Sequence, residues 1–118
     1  MRAMSHKSRS RETAKRQSRA HVFAALGDDT RLALVARLCK GPPRSISQLT
    51  EGSELTRQAI TKHLRVLEGA GIVHSARTGR RSLFEFDPEP IEGIKEYLDL
   101  VSRQWDQALA RLKSFVEG

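Results

Sequence analysis

Between residues 56 and 71 the chain reads TRQAITKHLRVLEGAG, and polar and apolar positions there separate almost cleanly on a helical wheel. At about 100° per residue, Arg57, Gln58, Thr61, Lys62 and Arg65 share an arc of roughly 140°, while Ile60, Leu64 and Leu67 lie opposite. The spacing predicts a helix that packs through one side and presents hydrogen-bond donors on the other. Thr56 is a suitable N-cap, Gly69-Ala70-Gly71 ends the helix, and no carboxylate interrupts the outer face before Glu68.

Upstream, residues 20–26 read as a short helix carrying Val22, Phe23 and Leu26, broken at Gly27. Asp28 caps a second helix whose expected buried stripe is Leu32, Val35, Leu38 and Cys39, and Gly41-Pro42-Pro43 stops it. Ser45-Ile46-Ser47-Gln48 has the form of a capping box and opens a short helix over residues 48–51, anchored by Ile46 and Leu49. Two short helices separated by a tight turn, the second polar-faced, are a helix-turn-helix. Residues 72–77 and 80–86 then alternate as two strands joined at Thr78-Gly79, with Val73, Leu83, Phe84 and Phe86 as apolar content. This hairpin carries Arg77, Arg80 and Arg81 at its tip, as the wing of a winged helix does when it lies along a neighbouring DNA backbone or minor groove.

The last helix is expected over residues 91–116. Ile91, Ile94, Leu98, Val101, Trp105, Ala108, Leu112 and Phe115 recur at alternating spacings of three and four, a heptad stripe. Little else in the chain is available to cover it, so a two-fold dimer is expected through Ile94, Leu98, Val101, Trp105, Leu112 and Phe115, joined by Val22, Phe23 and Leu26. The competing reading packs this helix back on its own domain. The fold class is therefore mainly α with a β-hairpin wing, a winged helix-turn-helix dimerising through its first and last helices. Residues 20–118 form the domain, and residues 1–19 form a basic, flexible arm that turns helical near Thr13, either a solvated tail or a segment grazing DNA phosphates.

Charge sharpens this picture because it is unevenly spread. The net +7 divides as +6 over residues 1–20, +1 over 21–43, +4 over 44–81 and −4 over 82–118. Such asymmetry suits a protein that meets a polyanion with one surface and its own kind with another. Cys39 is the single cysteine, which excludes an intramolecular disulfide or a CxxC site and fits the cytoplasm. No apolar run reaches the roughly 18 residues of a membrane span, and residues 1–19 lack the apolar centre of a secretory signal. No Gly-rich phosphate loop, nucleophile elbow or converging carboxylate pair speaks for an enzyme.

Leu26-Gly27-Asp28-Asp29-Thr30-Arg31-Leu32, Leu49-Thr50-Glu51, the stretch over residues 56–73, the Arg-rich hairpin and Phe86-Asp87-Pro88 together resemble the ArsR/SmtB-type winged-helix repressors over residues 22–115. The ending Trp105-Asp106-Gln107-Ala108-Leu109-Ala110-Arg111-Leu112 is similar to the metal-independent, SdpR-like branch. The resemblance implies a homodimeric repressor on double-stranded DNA, with contacts at Arg57, Gln58, Thr61 and Lys62 and wing contacts at Arg77, Arg80 and Arg81. By residue chemistry, Arg57 and Gln58 suit base edges, whereas Thr61, Lys62 and Arg65 suit phosphates or shorter contacts, beside the Thr56 cap. His63 falls toward the packed side and is expected to bridge rather than read. The family's sensor positions depart from pattern: residues 44–49 hold no thiol, no histidine follows His74, and a second cysteine is absent. Neither metal nor cofactor is therefore expected, and release from DNA is open to a small molecule, a partner protein or falling concentration. The alternative function is a winged helix that docks protein and does not bind DNA specifically.

Overall fold

Asp28 takes extended backbone angles and its carboxylate accepts the Arg31 backbone N–H at 3.0 Å, which starts a helix where the chain would otherwise continue from the preceding one. The computed structural model describes residues 2–118, with side chains described for Arg11, Ala14 and from Arg16 onward. In chain order it contains α1 (Arg2–Leu26), α2 (Asp29–Cys39), β1 (Arg44–Ser45), α3 (Ile46–Thr50), α4 (Arg57–Gly69), β2 (Val73–Thr78), β3 (Arg81–Phe86) and α5 (Glu89–Glu117). This is a winged helix-turn-helix: α3 and α4 are the motif, and β2 and β3 are the wing.

Two expected boundaries move for local reasons. The α1 helix runs back to Arg2, so the segment expected as a flexible arm to residue 19 is helical; residues 2–26 contain no Gly or Pro, and Ala, Arg, Lys, Gln and Glu are good helix formers. The α3 helix begins at Ile46 because Ser45 itself is the cap, closing the reciprocal box with Gln48 through Ser45 N–H to Oε1 at 2.8 Å and Gln48 N–H to Oγ at 3.2 Å. A left-handed Gly52 at φ 75° turns the chain between α3 and α4, where Thr56 accepts the Ala59 N–H.

The sheet has the antiparallel order β1-β3-β2. The strand pair β2 and β3 aligns Val73 with Phe86 and Thr78 with Arg81, so the turn falls on Gly79-Arg80, one residue later than expected, with Gly79 at φ 63°. The two-residue β1 pairs Arg44 with Phe84 and Ser45 with Leu83, tying the start of the helix-turn-helix to the wing.

The core gathers Leu49, Ile60, Leu64, Leu67, Ile72 and Val73, all fully buried, with Leu34 and Leu38 of α2, Val22 and Ala25 of α1, Phe84 and Ile94. Here α2 corrects the expectation. It buries Leu34 and Leu38, one turn apart, and half-buries Val35, while Leu32 is 51% exposed and Cys39 is exposed at the helix end. A helix with apolar residues at 32, 34, 35, 38 and 39 offers two candidate faces, and packing against α1, α4 and β3 selects the one through Leu34.

The first turn of α5 holds Glu89 and Glu92, which suit the positive end of the helix dipole, and Asp87 accepts the Glu89 N–H at 3.0 Å. Ile94 is the last buried residue of this 29-residue helix. Packing back on the domain therefore accounts only for its beginning.

Candidate nucleic-acid interface

The inner face of α4 is sealed by Ile60, Leu64 and Leu67, which fixes the outward direction of the opposite side chains. Thr56, Arg57, Gln58, Lys62 and Arg65 are exposed, and Thr61 is half-buried. The Thr61 hydroxyl donates to the Arg57 carbonyl at 2.7 Å, so its donor is spent within the helix and only its oxygen lone pairs and methyl group remain. Among the described residues, Arg57, Gln58, Lys62 and Arg65 make no side-chain hydrogen bond or ion pair with the protein. Four long donor side chains thus project from a rigid base with their capacity unspent.

The wing divides its arginines. Because Arg77 pairs with Ser82 and Thr78 with Arg81, Arg77 and Arg81 point to opposite faces of the hairpin, and Arg80 sits in the turn. Arg81 donates through Nη2 to the Ser45 hydroxyl at 3.0 Å. It is therefore tied to the N-cap of α3, a role that no spacing in the sequence signals, while Arg77 and Arg80 are exposed.

Further polar ties orient these parts. Glu68, the acid at the far end of α4, accepts from the Ser75 hydroxyl at 2.7 Å and the Ser75 N–H at 3.3 Å, bracing the wing against the helix. His74 Nε2 lies 2.7 Å from Asp87 Oδ2. The Glu89 backbone N–H, and then the His74 ring, hold the Asp87 carboxyl below the usual carboxylate range. The Arg31 backbone N–H does the same for Asp28, helped by the charges of Arg31 and His63. Arg37 donates to the carbonyls of Leu49 at 2.7 Å and Gln48 at 3.0 Å, holding α3 to α2. His63 bridges, as its wheel position suggests, with Nδ1 3.3 Å from Arg31 Nη1 and 3.7 Å from Asp28 Oδ2.

The surface expected to meet a second copy is placed less uniformly. Val22 and Ile94, expected there, belong to the protomer's own core, because α1 and α5 pack on each other within one chain. Leu26 and Val101 are half-buried, and Phe23 meets Tyr97 edge-to-face at 6.2 Å between ring centroids, with the Arg19 guanidinium over the same ring at 4.7 Å. Leu98, Trp105, Leu112 and Phe115 are exposed, Trp105 by 66% and Phe115 by 85%. Leu109 and Val116 are exposed too and were missed by the heptad. At about 100° per residue Leu98, Trp105, Leu109, Leu112 and Val116 fall within roughly 60°, whereas Val101, Ala108 and Phe115 drift to one side, because a straight helix turns every 3.6 residues rather than 3.5.

Among the described residues no group of three or more His, Cys, Asp or Glu side chains converges as a metal set would, and no helix is long and apolar enough to cross a membrane. Residues 26–76 match the family model described as a helix-turn-helix domain. The chain is similar to the HTH-type transcriptional regulator Rv2034 of Mycobacterium tuberculosis, 31% identical over 97 residues that span 82% of this chain and 87% of the relative. Its fold is similar to that of an ArsR-like transcriptional regulator from Rhodococcus sp. RHA1, with 32% identity, a TM-score of 0.75, and coverage of 86% of this chain and 95% of that one. The homodimeric winged helix-turn-helix DNA-binding domain Mb0332 (fragment 1–100) of Mycobacterium bovis shares the fold at 20% identity and a TM-score of 0.64, covering 83% and 90% of the two chains. With its motif order, its wing and these relatives, the chain belongs to the ArsR/SmtB family of winged helix-turn-helix transcriptional regulators.

Proposed function

We propose that the protein is a homodimeric, metal-independent transcriptional repressor of the cytoplasm that reads an inverted-repeat operator and blocks promoter access. One observation carries the reading: α4 has a fully buried inner face and an outer face whose Arg57, Gln58, Lys62 and Arg65 are unspent. Arg57 and Gln58, near the helix N-terminus, read base edges, each good bidentate pair contributing about 1–3 kcal/mol of discrimination. Lys62, Arg65, Arg77 and Arg80 neutralise phosphates, and Arg81 holds the wing in register. Phe23, Leu98, Trp105, Leu109, Leu112 and Val116 meet their copies across a two-fold axis, as the homodimeric neighbour's fold permits, and set the recognition helices about one DNA turn apart.

The test selects bound fragments from random and native DNA at two salt concentrations, with Arg57→Ala in parallel. A palindromic sequence bound with a steep salt dependence, and weakened by Arg57→Ala, supports the reading. Absence of enrichment overturns it in favour of a protein-docking module.

A further inference from the structure

Arg31 stands where three helices meet, and each of its three guanidinium nitrogens has a partner there. Its backbone N–H donates to Asp28 at the start of α2. Its side chain runs the other way: Nε donates to the carbonyl of Ala25 and Nη2 to that of Ala24 at 3.3 Å. These carbonyls belong to the last turn of α1, where that of Ala24 also accepts the Gly27 N–H at 3.2 Å. The third nitrogen, Nη1, lies 3.3 Å from Nδ1 of His63, midway along α4. Ala25 is itself buried beside Val22 in the core, so the α1 end of this bridge is firm. One planar, permanently charged guanidinium therefore joins the last turn of α1 to α4.

We propose that Arg31 is a positioning residue for DNA reading, fixing the angle between α1, a dimer-forming helix, and α4, and so the separation at which the paired α4 helices meet the duplex. The proposal rests on the functional reading above. Leverage makes the angle matter. His63 lies six residues from Arg57, about 9 Å along the helix, so a tilt of about 10° there carries the Arg57 end by about 1.6 Å. That is near half of the roughly 3.4 Å between base pairs, enough to spoil a bidentate contact. In the tautomer that carries its proton on Nε2, the His63 ring accepts from Arg31 through Nδ1. An asparagine side-chain oxygen occupies nearly the place of Nδ1 and can replace it, whereas leucine cannot. Lysine at position 31 keeps the charge but not the fork.

The experiment measures affinity for operators with native half-site spacing and with spacing changed by one base pair either way. It compares the unmutated full chain, Arg31→Lys, Arg31→Met, His63→Leu and His63→Asn, each checked for thermal melting and for dimer formation by sedimentation. The expected result is that Arg31→Lys, Arg31→Met and His63→Leu bind the native spacing about tenfold more weakly and lose most of the discrimination between spacings, while His63→Asn restores it. Folded dimers of Arg31→Lys and His63→Leu that keep the unmutated spacing profile overturn the proposal, whatever happens to their melting temperatures. If Arg31→Met fails to fold, those two variants decide the matter. An unmutated protein that binds no DNA selectively overturns the functional reading and this proposal together; selective binding with an unchanged spacing profile overturns the proposal alone.

Discussion

The helices α4 and α5 are both strongly two-sided, yet only one is finished within the protomer. Along α4 every large apolar residue of the inner face is sealed, and the side left over is cationic and donor-rich. Along α5 burial stops at Ile94, and the remaining apolar stripe ends in side chains more than half exposed. The difference separates two kinds of surface. A polar face on a completed helix is free to serve a ligand, whereas an apolar face on an incomplete one requires another apolar surface to exclude water.

The largest expected effect breaks the incomplete side. Trp105→Glu combined with Leu112→Glu should convert the dimer to a monomer in sedimentation and lower operator affinity by about 10²- to 10⁴-fold, the advantage lost when two linked half-sites become independent. A double variant that remains dimeric would remove these residues from the interface. Next comes the completed side. Leu64 is fully buried, so Leu64→Ala should cost about 2–5 kcal/mol in denaturant unfolding. That loss should not depend on protein concentration, whereas the cost of Leu109→Ala should vary with it if, as proposed, a second chain covers α5. Smaller again is Arg57→Ala on the outer face of α4, expected to weaken operator binding by about 1–3 kcal/mol while stability stays within about 0.5 kcal/mol. An equal loss of stability would show that Arg57 is part of the packing.

These contrasts also mark what could be read from the chain in advance. The two faces of α4, the Asp28, Ser45 and Thr56 caps and the wing were legible because each depends on residues within a few positions of one another. The β1 strand was not, since two residues carry no period and only Phe84 and Leu83, far along the chain, define it. Leu34 displaced Leu32 in the core because the choice between two apolar faces of α2 is made by α1, α4 and β3, not by α2 itself. Leu109 and Val116 were hidden by a 3.5-residue repeat laid over a 3.6-residue helix. The ties made by Arg31, Glu68 and Arg81 join residues from different elements, and composition gives no hint of which arginine reaches inward.

The smallest expected effect concerns acid, and it tests whether the protomer's internal junctions are as independent of the partner as α4 is. Asp28 and Asp87 each accept a backbone N–H at the start of a helix, and both carboxyls are held below their ordinary value of 3.8. A carboxyl with a depressed folded-state pKa favours the folded form while ionised. The unfolded chain takes up its proton first as pH falls, so the contribution is complete above the unfolded value and is lost through the folded one. Stability should therefore decline from about pH 4.5 downward, with a slope that includes both groups. Asn caps a helix about as well as Asp but does not titrate in this range, so Asp28→Asn should keep α2 and flatten that slope. Asp87→Asn should flatten it as well, while also giving up the charge that faces His74. Denaturant titrations from pH 6 to pH 3 at two protein concentrations read both effects. The flattening should be the same at each concentration, because both carboxyls act within one chain; a concentration-dependent flattening would place one of these junctions under the control of the partner, and with it the geometry of α4.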